Sequence, residues 1–385
     1  MCKFSAIKHL TKEDIIKNGC IFTSRNLVDL VFQQCEPHIT EDTIILDMGS
    51  GYGAFINVFS KIGNRCIGTD CDEVSIELLR QDFPETEFFL ENSLLNVCRE
   101  KYGIGEEDRL IVVGNPPYND TTSIYRKGQK GELVCDEDLI SRDLGISFLK
   151  AYNKLKANYV CVLHPLSYLI KKQNFNQLKT FKDNYRLLKA VVFSSDMFET
   201  ISKKSSPFPV VAALYERNTN GMTFEDILSF NFDIFDSDKK FCLGEIKTID
   251  GIINKYPKKN ACSNICFYTL RDINALARNT SFANGPISNG VDVTIDNLYQ
   301  YAWLLFLKEN FNPPEYKFLY GNLSPLYSPS IEEDAIKNIL ATYAYKKNKV
   351  VSSNFQKSEI EDKYGKIFEE ENYFVLHEIL NGLYI

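Results

Sequence analysis

The feature that most constrains this chain is an apolar run, Ile44-Ile45-Leu46, that ends in an acid and then breaks into glycines: Asp47-Met48-Gly49-Ser50-Gly51-Tyr52-Gly53. A short aliphatic run bounded by glycine reads as a buried strand. Glycine lets the backbone turn left-handed and approach a ligand with no Cβ in the way. Helical spacing over residues 54–61 follows, so the unit is strand, turn, helix. In open α/β sheets ligands bind at such turns, beyond the carboxyl ends of the strands.

The pattern repeats. Strand candidates lie at residues 43–47, 65–70, 87–90, 110–114, 159–164, 188–194 and 210–215. The stretches 54–61, 73–81 and 144–155 carry apolar residues at three and four spacing, as in Ile76, Leu79 and Phe83, and read as crossover helices. The expected fold is therefore α/β, a mostly parallel sheet covered by helices. After Glu216 the alternation stops, and Asn218-Thr219-Asn220-Gly221 is a turn cluster. We place a domain boundary there, giving a catalytic domain at 1–216 and a second domain at 217–385. The second reads as mixed and largely helical, with helix candidates at 294–309, 331–345 and 359–380, loops such as Asn312-Pro313-Pro314 and Ser324-Pro325, and no internal repeat.

The glycine spacing selects the ligand. It is G-x-G-x-G, not the phosphate-binding G-x-G-x-x-G. An acid at the strand end repels a pyrophosphate but can receive an ammonium group, which points to S-adenosylmethionine and away from NAD. The next strand ends Ile67-Gly68-Thr69-Asp70-Cys71-Asp72, where a carboxylate is expected on the ribose hydroxyls. Asp70 is the first choice and Asp72 the second. A plain tight turn is the alternative for the glycines alone.

A second signal closes the fourth strand: Val112-Val113-Gly114-Asn115-Pro116-Pro117-Tyr118. Two prolines stiffen the backbone, so the Asn115 side-chain oxygen and the Pro116 carbonyl can face one point. Two acceptors there would hold both hydrogens of an exocyclic amine, with its nitrogen in line with an incoming methyl group. Tyr118 adds a flat face for a base extruded from a duplex. Taken alone, the four residues also fit a Pro-rich turn.

Together these motifs make the chain resemble the S-adenosylmethionine-dependent DNA adenine-N6 methyltransferases of restriction-modification systems, with a Rossmann-like class I methyltransferase sheet. Asp47 to Gly53 resembles motif I, Asp70 the motif II acid, and Asn115 to Tyr118 the NPPY of motif IV. Gly19-Cys20-Ile21-Phe22-Thr23-Ser24, followed by Val28 to Phe32, resembles motif X, which matches the gamma order. The resemblance covers roughly residues 19–215. It implies Phe22, Thr23, Asp47, Gly49, Gly51, Gly53, Asp70, Asn92 and Asn115 on the methyl donor, and Asn115, Pro116, Pro117 and Tyr118 on a flipped adenine. Asn92 stands where the family often has an Asp touching the cofactor's adenine. Phe198, with Phe208 as alternative, would supply the second stacking face. The second domain would be the target-recognition domain, double-stranded DNA the partner, and any cognate restriction endonuclease a separate chain.

Weaker features are Arg126, Lys127 and Lys130 after NPPY, and the pairs Lys171-Lys172 and Lys203-Lys204, as candidate contacts to DNA phosphates. Lysine pairs are more often solvated faces. His164 reads as structural. A net charge of -7 over 385 residues argues mildly against a nucleic-acid partner, although a local basic groove can exist on an acidic protein. With 44% hydrophobic and 25% charged residues the chain reads as soluble and globular. It lacks an uninterrupted apolar run of about 18 residues and an apolar leader, so neither membrane nor secretion is expected. Eleven cysteines without a Cys-x-x-Cys pair give no zinc spacing and fit reduced thiols in a cytoplasmic protein. Rival readings are a methyltransferase of the same fold acting on RNA or on a protein glutamine, and a non-catalytic DNA-binding relative.

Overall fold

A computed structural model describes residues 22–118, 135–199, 207–257, 264–277, 281–312, 317–369 and 373–384. The chain divides into two compact units, Met1–Phe241 and Cys242–Ile385.

The first unit is built on a nine-stranded sheet. Its strands are β1 Ile44–Met48, β2 Cys66–Asp70, β3 Glu87–Leu90, β4 Leu110–Gly114, β5 Tyr159–Pro165, β6 Tyr185–Ser194, β7 Pro209–Arg217, β8 Asn231–Ile234 and β9 Lys240–Cys242, in spatial order β3-β2-β1-β4-β5-β7-β6-β8-β9. Strands β1 to β5 pair in parallel, and β7 runs antiparallel between β5 and β6. The run β3-β2-β1-β4-β5-β7-β6, with β7 reversed, is the class I methyltransferase sheet that the resemblance implied, and β8 and β9 extend it.

Every residue of β1 and β4 is buried. Both faces of these strands are covered, which is why they appear in the sequence as unbroken apolar runs. Helices Arg25–Cys35, Glu73–Asp82 and Leu144–Lys154 supply the cover. One core cluster joins Leu27, Val28 and Val31 of the first helix to Ile45, Ile111, Val113 and Leu163 of the sheet. Strand order reverses between β1 and β4, so their carboxyl ends flank the crevice where this architecture holds ligands. Among the described residues no helix is long and apolar enough to cross a membrane.

The sheet runs past the boundary expected at residue 216. After the turn at Gly221, the short helix Phe224–Ser229 leads into β8, which pairs in parallel with β6 through Val191–Asp233 and Val192–Ile234. Phe232 and Ile234 are buried there, so residues 217–241 belong to the first unit.

The second unit pairs a three-stranded antiparallel sheet, β11-β10-β12 (Phe282–Asn284, Ile265–Tyr268, Gly290–Asp292), with helices Leu298–Asn310 and Asp334–Lys347. Trp303 is fully buried and donates its indole N–H to the Leu326 carbonyl at 2.8 Å. The helix expected over 359–380 is divided into Lys357–Tyr364 and Phe374–Asn381, because Gly365 leaves helical geometry at φ 101°.

The boundary has a measurable consequence. A fragment ending at Glu216 loses the buried Phe232 and Ile234 side chains, each contributing about 1.5–3 kcal/mol. It is expected to melt well below a fragment ending at Phe241 in parallel calorimetric scans. Equal melting temperatures would place residues 217–241 outside the folded unit.

Candidate active site

Three elements converge at the crevice. In register, Asp47 of β1 lies opposite Gly68 of β2 and Val113 of β4. The acid therefore sits in the middle of three parallel strands, one position from the ends of β1 and β4 and two from the end of β2.

The loop after Asp47 is held open by its own hydrogen bonds. The Gly49 and Ser50 amides both donate to the Thr69 carbonyl at 2.8 Å, and the Gly51 amide donates to Asp70 Oδ2 at 2.8 Å. The nearby amides that might have served Asp47 are thus committed to β2. Gly49 (φ 83°) and Gly51 (φ 50°) are left-handed, and a side chain added at either would meet nothing within 4 Å. The loop presents bare backbone to open space, as a cradle for a ligand requires.

Asp47 is 1% exposed, and among the described residues neither of its carboxylate oxygens has a hydrogen-bond partner. Burial, with the Asp70 charge adding to it, pushes its carboxyl well above the usual range. Leaving a buried carboxylate unpaired is costly, and a cation would relieve it. These are the acceptors and the electrostatics that the ammonium group of S-adenosylmethionine needs, so the residues present fit that ligand.

Asp70 and Asp72 separate cleanly. Asp70 stands at the rim with Oδ2 on Gly51 and Oδ1 accepting from the Asp72 amide at 2.9 Å, and burial raises its carboxyl against these bonds. Asp72 instead caps helix Glu73–Asp82 by accepting from the Ser75 amide at 3.0 Å. Asn92 lies exposed after β3, its Oδ1 accepting from the Leu94 amide at 3.0 Å. Phe22 tilts against Tyr52 of the glycine loop, ring centroids 5.3 Å apart.

The loop after β4 joins the same place. Asn115 donates through Nδ2 to Thr23 Oγ1 at 3.1 Å. The single proton of the Tyr118 hydroxyl is shared between Asn115 Oδ1 and the Leu163 carbonyl, the latter at 2.9 Å. These bonds orient both the amide and the ring. Pro116 is buried and Pro117 half-buried between them.

The two stacking candidates occupy different surroundings. Phe198 is 5% exposed in the core cluster, edge-on to Phe193 with centroids 5.8 Å apart. Phe208 is only partly buried against the same cluster, as is Tyr118. Lys171 is partly buried at the start of helix Lys172–Gln177; Lys172 is exposed with its ammonium 5.8 Å from the Phe224 ring. Arg126, Lys127, Lys130, Lys203 and Lys204 lie outside the described residues. His164 is fully buried, and its Nδ1 donates to the Pro165 carbonyl, so Nε2 accepts from Tyr215; burial lowers its pKa to about 4, which keeps it neutral. Among the described residues no cluster of His, Cys, Asp or Glu could hold a metal ion.

One group at this place has no counterpart in the motif reading. Tyr152, on helix Leu144–Lys154, is fully buried with an unpartnered hydroxyl beside Gly114. Its sequence context, four residues after Phe148 on an apolar face, reads only as core.

No family model matches the chain. It is 31% identical to the type II methyltransferase M.CvrRI of Paramecium bursaria Chlorella virus XZ-6E over 113 residues, 29% of this chain and 27% of that protein. It is 26% identical to ribosomal RNA small subunit methyltransferase A of Chlorobium phaeobacteroides (strain BS1) over 105 residues, 27% of this chain and 38% of that protein. The matches thus span well under half of either relative. A solved structure of a SAM-dependent methyltransferase from Anabaena variabilis ATCC 29413 aligns at TM-score 0.36 and 9% identity, covering 54% of this chain and 91% of that one. The chain thus shares methyltransferase sequence similarity over part of its length, and its strand order is that of the class I sheet.

The burial of Asp47 gives a signed pH prediction. A carboxyl whose pKa is raised on folding binds its proton more tightly in the native state, so the stability it contributes is full below the unfolded pKa of about 4 and is lost as pH rises through the folded value. Asp47→Asn is therefore expected to raise the melting temperature of the ligand-free protein at pH 8, by the equivalent of about 1–3 kcal/mol. The gain should shrink as pH falls toward about 4. A gain independent of pH in thermal melts would show that Asp47 does not titrate in the fold.

Proposed function

We propose that this protein is a DNA methyltransferase that transfers a methyl group from S-adenosylmethionine to the exocyclic N6 amine of an adenine flipped out of duplex DNA. The observation that carries the reading is the meeting of the two loops: an open glycine cradle over a buried unpaired carboxylate, and beside it an asparagine whose amide is held by Thr23 and Tyr118. The similarity to a type II methyltransferase supports it.

The roles we assign are these. Asp47 receives the donor's ammonium group, Asp70 its ribose hydroxyls, and Gly49 and Gly51 its close approach, while Gly53 keeps the loop clear of the Leu79 side chain that a Cβ there would overlap. Phe22, Thr23 and Asn92 complete the pocket. Bound there, S-adenosylmethionine supplies a methyl group activated by its sulfonium. Asn115 Oδ1 and the Pro116 carbonyl accept the two N–H groups of the target amine and hold its nitrogen for in-line attack. No side-chain base is needed, because the methylated nitrogen is cationic and loses its proton readily. Tyr118 stacks on one face of the base; on the other we assign Phe208, which keeps part of its surface exposed, ahead of Phe198, which is core.

Lys171 and Lys172, with Arg126, Lys127, Lys130, Lys203 and Lys204, are the proposed phosphate contacts, and the second unit is the proposed target-recognition domain. RNA is the second reading. It is favoured by the similarity to a ribosomal RNA methyltransferase.

Purified protein is incubated with labelled S-adenosylmethionine and, in parallel, unmethylated duplex DNA, RNA and a protein extract, and the labelled product is hydrolysed and identified. Label as N6-methyladenine in DNA is expected. Asn115→Ala should lower transfer by roughly a hundredfold or more while leaving donor affinity within a few fold. Label in RNA or protein would overturn the substrate, and full activity of Asn115→Ala would overturn its role.

A further inference from the structure

Two polar side chains are buried at the meeting of the loops with no described hydrogen-bond partner: the Asp47 carboxylate, 1% exposed, and the fully buried Tyr152 hydroxyl. They come from different elements, β1 and the helix that crosses from β4 to β5. Both face the same small space. A side chain at Gly114 would begin 3.2 Å from Asp47 Oδ1, 3.8 Å from the Met48 carbonyl and 3.9 Å from the Tyr152 hydroxyl. Glycine at this position leaves that space to three oxygens.

A buried hydroxyl with no acceptor is unfavourable, and so is a buried carboxylate with no donor. Each has what the other lacks. The Asp47 carboxylate and the Met48 carbonyl are the acceptors the Gly114 space places near Tyr152, and the loop amides that could serve Asp47 are committed to Thr69 and Asp70.

We propose that Tyr152 is a positioning residue of this site: its hydroxyl is the internal donor that turns onto the Asp47 carboxylate, directly or through one buried water, when that carboxylate ionises to receive a cationic ligand. The proton of Asp47 leaves to solvent, and Tyr152 stays neutral. The proposal rests on the donor-binding reading for its purpose, though not for its test.

Tyr152 also acts on the other half of the site: burial and then Tyr152 shift the Tyr118 phenol upward, as burial and then Asp47 shift Tyr152. The ionisable groups around Asp47 are Asp70 at the end of β2, the Cys66 thiol at its start, and Tyr152 from the helix. Asp70 and Cys66 offer no charge that favours an ionised Asp47, which leaves Tyr152 as the stabilising group among those described.

The test reads the carboxyl itself in the ligand-free protein. The carboxylic-acid band of Asp47 is followed against pH in the infrared difference between wild type and Asp47→Asn. In the Tyr152→Phe background, which removes one unbonded oxygen and leaves the ring, the midpoint is expected to move up by about one pH unit, a tenfold change. With 3-fluorotyrosine at position 152, a stronger donor, it should move down. A midpoint unchanged in both proteins overturns the proposal, because a purely structural tyrosine would alter melting temperature without moving the titration. Calorimetric binding of S-adenosylmethionine to wild type is measured alongside. Its absence would sink the donor-binding reading, while the titration would still decide the role of Tyr152.

Discussion

Everything at this site depends on a carboxylate that the sheet will not let go. Asp47 lies on a strand buried on both faces, paired on one side to Gly68 and on the other to Val113. It cannot swing to solvent without breaking the centre of the sheet. The following loop could have folded back to cover it, but its first amides bond to Thr69 and Asp70 instead. The loop therefore stands open, and the acid beneath it stays unpaired. A buried carboxyl with no partner is an energetic fault in a structural core and an asset in a site that must attract a cation.

The same constraint explains which parts of the molecule could be read from the chain. Strands β1 and β4 are covered on both faces, so each left an unbroken apolar run with a glycine-containing turn at its end. The outer strands left fainter marks. Strand β8 has only Phe232 and Ile234 buried and follows a turn cluster that otherwise looks like a domain boundary. Its membership in the sheet is decided by pairing with β6, a contact with no local signature. Gly365 likewise divides a helix whose apolar spacing continues on both sides of it.

Within the site, what was legible was what is local. The glycine loop, the acid before it and the Asn-Pro-Pro-Tyr turn are contiguous in the sequence. The choice between Asp70 and Asp72 was open because both are short acids at one strand end; the helix that Asp72 caps separates them. Phe198 and Phe208 are equivalent as letters, and only packing distinguishes a ring edge-on in the core from one with surface to spare. Tyr152 gave no sign at all. Its hydroxyl matters through Gly114 and Asp47, which lie 38 and 105 residues away in the sequence.

Gly114 then acquires a role beyond ending a strand. A methyl group there would crowd Asp47 Oδ1 at 3.2 Å, so glycine lets the end of β4 lie this close to the end of β1 without either giving way. Asn115 follows directly, and its amide is fixed by Thr23 and Tyr118. The separation between the carboxylate and the asparagine is consequently set by strand pairing and one missing side chain, both rigid. Positioning chemistry loses rate steeply when reacting groups drift by about 1 Å. A site whose two halves are spaced by the sheet itself is protected against that drift.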